Sequence, residues 1–298
     1  MLEQSASTSD VKTGTVAVNR GTPLHPSGSP VVIEPTNTLM PISVRAVWDY
    51  RELLYFLIWR DLKVRYKQTV LGISWVILQP LLMTIIFTIF LGRLARVPSN
   101  GVPYLLLVYS GLTPWTLFSN AIQFSGNSLV ANTNLITKVY FPRAIIPAAA
   151  VGARLVDFSV TLIIMLGLLI YYRISIGWHL LMLPVFVLLI VLFSLGLGFW
   201  ASAMNVKYRD VSVILPVVVQ LWMFVSPVLY PLGIVPEKWK WLYSLNPMVG
   251  IIEGFRSSLL NMPFGWTAII TSAVITAIVL LYSMFAFKSM EKYFADTV

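Results

Sequence analysis

The 298 residues contain no cysteine, only two histidines (His25 and His179), and few charges: 21 Lys and Arg with 12 Asp and Glu, 11% of the chain. Without cysteine there are no disulfides, thiolate zinc sites, iron–sulfur ligands or cysteine nucleophiles. Two histidines exclude a histidine-rich metal or haem site. A soluble domain carries roughly 25% charged residues, so these charges cannot supply its water-facing shell, and a soluble globular enzyme is excluded. A chain that is 57% hydrophobic is no disordered scaffold either. Motifs of chemistry are missing too. There is no GxxxxGK[ST] loop to hold ATP, no HExxH, no DxD and no GxSxG. Gly196-Leu197-Gly198-Phe199-Trp200-Ala201 fits GxGxxA in form only, because it lies in an apolar run with no preceding strand and reads as close helix packing. Met1-Leu2-Glu3-Gln4-Ser5 shows neither the basic nor the apolar region of a cleaved secretion signal, so none is expected.

What the chain does have is long uncharged runs, at 68–92, 97–137, 174–206, 211–236 and 257–287. The stretch 144–172 is equally apolar apart from Arg154 and Asp157. A helix of about 20 residues crosses a bilayer core of ~30 Å, so six spans are expected, the second near 103–129. The runs are continuous and do not alternate, which predicts an all-α integral membrane bundle and not a barrel. Lys and Arg in short loops set orientation. Arg45, Arg51, Arg60, Lys63, Arg65, Lys67, Lys138, Arg143, Lys207, Arg209, Lys288 and Lys292 outweigh Arg93, Arg96, Arg173, Lys238, Lys240 and Arg256. Both termini are therefore expected in the cytoplasm.

Residues 1–40 are rich in Ser, Thr, Pro and Gly. They are expected to form a disordered cytoplasmic tail, a bare extension or a partner-binding segment; residues 41–298 are the expected transmembrane domain. Over 46–67, Asp49, Glu52, Arg60, Lys63 and Lys67 share one helical stripe, with Val47, Leu54, Ile58 and Leu62 opposite. This predicts an amphipathic helix in the cytoplasmic interface, as an anchor or a docking platform. Residues 132–147 hold about two helical turns with Leu135, Val139 and Phe141 expected exposed beside Lys138 and Arg143. Such an apolar wedge with a cationic rim suits a groove on another protein, or a bed of lipid headgroups. Residues 238–262, with Trp239, Trp241, Glu253 and Arg256, break at Asn246-Pro247 into two short helices. They predict a re-entrant outer hairpin between spans five and six, or a plain surface loop.

The second span carries Thr113, Thr116, Asn120, Gln123 and Asn127 on one face, with Phe124 at its edge. Amides and hydroxyls in lipid require partners, so these residues bond neighbouring helices or line a path for a hydroxyl-rich substrate. Trp75 with Gln79, and Trp222, Ser226 and Tyr230 at i, i+4, i+8, extend that set to spans one and five. Arg154 and Asp157 are neighbours on one face, an intramembrane pair expected to be an ion pair or coupling element. No nucleic-acid signature is present.

Read as an ordered set, several segments resemble a known family. They are Arg60-Asp61-Leu62-Lys63-Val64-Arg65-Tyr66, Leu71-Gly72-Ile73-Ser74-Trp75, Gln79-Pro80, Gly111-Leu112-Thr113-Pro114-Trp115 and Phe118-Ser119-Asn120. Further along come Lys138-Val139-Tyr140-Phe141-Pro142, Asn205-Val206-Lys207-Tyr208-Arg209-Asp210, Ser226-Pro227-Val228-Leu229-Tyr230 and Asn246-Pro247-Met248. Over about 45–290 the chain resembles the permease subunits of bacterial ABC exporters for polysaccharide and polyol phosphate, including those for O-antigen and teichoic acid. The resemblance implies a homodimer in the inner membrane, driven by two copies of an ATPase that binds the ATP and Mg, with no cofactor in this chain. It implies a lipid-linked glycan as substrate, passing through an aromatic-lined channel with its lipid beside Trp75 and Trp222. It also implies that 46–67 is the interface helix, 134–143 the coupling helix, and 238–262 the outer gate. A membrane enzyme acting on glycans, a polymerase or acyltransferase centred on Glu253 and Arg256, is the alternative of a different class.

Overall fold

The computed structural model describes residues 44–67, 74–99, 101–175, 177–291 and 294. The expected tail at 1–40, Leu71-Gly72-Ile73 and Lys292 lie outside the described residues. Among the described residues the chain is helical, with no strand. The helices are α1 (Val44–Asp49), α2 (Arg51–Lys67), α3 (Ser74–Phe87), α4 (Tyr104–Ala131), α5 (Thr133–Lys138) and α6 (Ile145–Tyr171). They continue with α7 (Leu183–Lys207), α8 (Val211–Phe224), α9 (Glu237–Ser244), α10 (Pro247–Leu260) and α11 (Trp266–Met290). α3 widens at its end into a π-helical turn, Thr88–Leu94, and a tighter turn, Trp178–Met182, leads into α7.

Five of these stretches are long and apolar enough to cross a bilayer among the described residues: Ser74–Leu94, Tyr104–Ala131, Ile145–Tyr171, Trp178–Lys207 and Trp266–Met290. The expected span at 211–236 differs. Its helix ends at Phe224 after 14 residues, about 21 Å at 1.5 Å per residue and short of the bilayer core. The chain then turns through Ser226-Pro227, where proline supplies no N–H to continue the ladder. The last span also begins later than expected. Asn261 ends α10 in the left-handed conformation at φ 54°, and Pro263 and Gly265 delay the next helix to Trp266.

α4 is the axis of the bundle. It packs along α6 and α7, and it also touches α3, α8 and α10. It is the least apolar of the five long stretches yet 78% buried, while the more apolar Ser74–Leu94 is 11% buried. That inversion is what lipid as solvent demands: polar side chains turn into protein and apolar ones face out. α7 packs on α11, α11 on α10, and α2 lies along α6. One core gathers Phe118, Phe158, Phe193 and Phe255 around α4. A second, at the α5 end, gathers Leu57, Ile136, Phe141, Phe199, Phe287 and Phe294.

Close helix approach is concentrated where glycine permits it. A Cβ at Gly111 would run into the Val228 carbonyl oxygen and come within 2.8 Å of the Arg256 guanidinium. A Cβ at Gly250 would meet the Ala268 carbonyl, so α10 and α11 touch backbone to backbone.

Candidate functional site

A cleft of about 670 Å³ opens between α3, α4, α6 and α8, within the range of small-molecule sites. Its α3 wall holds Trp75, Gln79 and Pro80. Pro80 leaves the helix ladder incomplete, and Thr84 Oγ1 donates to the Pro80 carbonyl at 2.8 Å. The α4 wall contributes Thr116, Ser119, Asn120, Gln123 and Phe124 one turn after another. Gln123 Nε2 donates to Ser119 Oγ at 2.9 Å, which fixes that amide along the wall. Asn120 and Phe124 stay exposed. α8 adds Gln220 and Met223.

At the α2 end of the cleft the lining becomes charged. Asp157 accepts from Arg154 Nη1 at 3.1 Å, from Arg65 Nη1 and from Tyr66 Oη. The Arg154 guanidinium stacks over the Phe124 ring at 3.8 Å, and that of Arg65 lies 4.8 Å from the same ring. Burial first, and then the Asp157 carboxylate, push the Tyr66 phenol well above its usual pKa. Tyr66 therefore stays protonated and donates.

The expected lining set is thus divided. Trp75, Gln79, Thr116, Asn120, Gln123 and Phe124 come together in the cleft. Thr113, Asn127, Trp222, Ser226 and Tyr230 do not. Thr113 is buried, its hydroxyl donating to the Tyr109 carbonyl at 2.8 Å. Asn127 receives Asn205 Nδ2 at 3.3 Å. Trp222 stands edge-on to the stacked rings of Phe118 and Phe193, and its Nε1 donates to Asn246 Oδ1 at 3.0 Å. Asn246 Nδ2 in turn donates to Ser226 Oγ at 2.9 Å. Tyr230 pairs with Tyr243, whose phenol burial and then Tyr230 push upward. The i, i+4, i+8 face of 222–230 does not exist as a helical face, because the helix has ended at Phe224.

The segment after α4 also departs from expectation. Phe141 is 5% exposed within the α5-end core, and Arg143 Nη1 donates to the Glu291 carbonyl at 2.6 Å. Leu135 is half-buried. The face turned outward is Thr137, Lys138, Val139 and Tyr140, with Tyr140 83% exposed. The wedge expected of Leu135, Val139 and Phe141 is corrected accordingly. Once α5 ends, the chain is extended at Val139, and helical spacing no longer predicts which side chains share a face.

On α2, Arg60 bonds Asp61 at 2.8 Å and Asn132 at the end of α4 at 2.8 Å, while Lys63 and Lys67 stay exposed. The face of α2 against α6 uses Leu57 and Ile58, and also Arg65 and Tyr66 through Asp157. Trp239 and Trp241 are exposed on α9. Arg256 is 1% exposed; Nη1 reaches Glu253 at 2.6 Å, and Nη2 reaches the Pro227 carbonyl at 2.9 Å and that of Val228 at 3.3 Å.

Sequence reasoning missed Arg65, Tyr66, Gln220, Asn246 and Tyr140 as residues of these sites. Arg65 carried a signal, since it falls on the apolar side of the 46–67 wheel where only a buried partner justifies it. Gln220 carried another as the sole amide in an apolar run. No group of three or more metal-ligating side chains occurs among the described residues.

Comparison with known proteins places these features in a family. Residues 52–260 match the model of the ABC-2 type transporter family. The chain is 30% identical over 258 residues to the O-antigen export system permease protein RfbA of Myxococcus xanthus, covering 86% of this chain and 98% of that protein. It is 29% identical to a protein of the same name from Klebsiella pneumoniae, over 82% of this chain and 94% of the relative. It is 25% identical to the polysialic acid transport protein KpsM of Escherichia coli, over 67% and 78%. A helical, multi-pass bundle with an amide- and aromatic-bearing cleft against its least apolar helix, matched over most of its length, belongs to the ABC-2 type transporters.

Proposed function

We propose that this chain is the permease of an exporter that moves a lipid-linked polysaccharide of the O-antigen, capsule or teichoic-acid class out across a bacterial cytoplasmic membrane. It acts as a homodimer, driven by two copies of a separate ATPase that binds the ATP and Mg. The observation that carries this reading is the cleft itself. Away from its α2 end its walls set the amides and hydroxyls of Gln79, Thr116, Asn120, Gln123 and Gln220 among aromatic and aliphatic side chains, with no charged side chain. Such walls hydrogen-bond sugar hydroxyls and pack on sugar C–H faces without holding any one group tightly. Similarity to the O-antigen permeases supports the same substrate class.

On this reading residues 41–298 are the transmembrane domain, 1–40 are a cytoplasmic tail, and both termini are cytoplasmic. The fifth of six spans is α8 completed by the turn at 225–230. Ser226, Pro227, Val228 and Leu229 in that turn are buried, and irregular backbone at membrane depth is tolerated where protein covers it. α9 and α10 form the re-entrant outer hairpin, with Trp239 and Trp241 at the interface and Glu253 with Arg256 holding its base. α1 and α2 lie in the cytoplasmic interface, and the exposed face after α5 meets the ATPase.

A glycan-modifying enzyme would use the Glu253 and Arg256 pair. Glu253 Oε1 already accepts from Arg256 and from the Leu232 N–H at 3.2 Å, an arrangement that serves packing and leaves no free acid facing the cleft.

Reconstituted in liposomes with its ATPase, the chain is expected to deliver lipid-linked glycan only when ATP is supplied. Asn120→Leu and Gln123→Leu should each slow delivery by about threefold to tenfold, the worth of a lost hydrogen bond, with no fall in Tm. A chain that recruits no ATPase, or that alters a lipid-linked sugar by itself, overturns the proposal.

A further inference from the structure

We infer that the C-terminal end of α11 clamps the ATPase-facing segment after α5, with Arg143 as the positioning residue that joins them; the inference rests on the export reading above. The exposed face at 137–140 belongs to a stretch too short to hold a shape by itself. α5 has six residues, and Val139 after it is already extended. A lone helix of that length is not stable in water. To pass on a push from the ATPase, the segment must be held from its other side.

What holds it comes from 148 positions further along the chain. α11 ends at Met290, with Glu291 as its C-terminal cap. The last carbonyls of a helix lack partners within it and carry partial negative charge. Arg143 Nη1 donates to the Glu291 carbonyl at 2.6 Å, which seats a full positive charge on that end. The Glu291 carboxylate is taken by Lys288 at 2.6 Å, so the Arg143 bond is a helix cap and not an ion pair. The Arg143 guanidinium also lies 5.9 Å from the Phe294 ring. Phe294 is 1% exposed and stands edge-on to Phe287 at 5.4 Å, and Ile136 and Phe141 share their core. One side of the segment is thus anchored while the other faces out. From Ala268, against Gly250 of α10, to Glu291, α11 runs about 35 Å at 1.5 Å per residue. A push on Tyr140 therefore reaches the hairpin helix α10 along one continuous helix.

The test uses the full chain reconstituted with its ATPase in liposomes and reads glycan delivered per ATP hydrolysed. Arg143→Met removes the donor and keeps the apolar stem. It is expected to cut that yield about threefold to tenfold, while ATPase binding and Tm stay near wild type. Arg143→Lys, which can still bond the helix end, should restore most of the yield. A second measurement leaves Arg143 in place. The chain has no cysteine, so Asn134→Cys with Ser289→Cys takes spin labels at two exposed positions, one on α5 and one near the end of α11. A clamp predicts one narrow distance between the labels, unchanged when ATP is added.

An unchanged yield per ATP in Arg143→Met overturns the inference. Weaker ATPase binding at constant yield also overturns it, because Arg143 would then be a contact residue. So does a lower Tm with export falling only in proportion to the folded chain, the mark of a purely structural bond. A label distance that shifts with ATP overturns the clamp even where Arg143→Met does not fold. Absence of ATP-driven delivery by the wild-type chain would sink the export reading itself, whereas intact delivery with a shifting distance would sink only the clamp.

Discussion

The double substitution Lys138→Glu with Tyr140→Ala is expected to abolish ATP-driven export while the chain folds and inserts normally, whereas Phe141→Ala lowers Tm. The two outcomes separate because the segment has two sides. Tyr140 is 83% exposed and Val139 53% exposed, with Lys138 beside them. Truncating a side chain this exposed costs the fold little. An aromatic residue at the centre of a protein interface, in contrast, commonly carries about 2 kcal/mol or more of binding, roughly a thirtyfold weaker complex. Reversing the charge at Lys138 adds repulsion against any acidic partner surface. Phe141 packs instead among Ile136, Phe287 and Phe294, and its removal should cost about 3 kcal/mol through the cavity left behind. ATPase activity and glycan delivery measured together on the reconstituted complex check the prediction. Delivery that survives the double substitution would show that the ATPase docks elsewhere.

That contrast marks where the sequence stops being legible. Long uncharged runs reveal helices in lipid because the requirement is local: each backbone amide must be bonded within its own segment. The second run could also be recognised as the bundle's polar core, since its amides and hydroxyls recur on one face. Lining residues were legible wherever the helix continues, as at Thr116, Asn120 and Gln123, which are spaced three and four apart and share the cleft. The same logic failed at Trp222, Ser226 and Tyr230. Helical spacing has no meaning across the turn that follows Phe224, and Asn246, far along the chain, captures both Trp222 and Ser226. Asp157 looked like the partner of Arg154 alone, because i, i+3 spacing is visible in a string of letters. Its bonds to Arg65 and Tyr66 join residues 92 and 91 positions apart, and only the packing of α2 on α6 brings them together.

Arg256 illustrates the same limit and gives the largest effect expected on stability. From the sequence it was a gate residue or a catalytic partner of Glu253. In the fold its guanidinium ties α10 to the buried turn at Pro227 and Val228 and lies against α4, where Nε sits 3.4 Å from Ser110 Oγ. Arg256→Ala would leave two carbonyls without their donor and Glu253 without its counter-charge. Breaking a buried pair of this kind costs about 3–5 kcal/mol, enough to leave most of the chain misfolded. Arg256→Lys should recover part of that loss, because an ammonium can reach Glu253 but cannot also span both carbonyls. Gly111→Ala should resemble Arg256→Ala without touching any charge, since the added methyl displaces the same guanidinium and the Val228 carbonyl. Thermal unfolding in detergent is therefore expected to rank wild type above Arg256→Lys, and Arg256→Lys above both Arg256→Ala and Gly111→Ala. If Arg256→Ala instead unfolds like wild type and loses only export, Arg256 is a gating residue whose bonds break and re-form during transport. The turn at 225–230 would then be held by the Asn246 contacts, by the Tyr104 hydroxyl on the Leu229 carbonyl and by the packing of Val228 and Leu229.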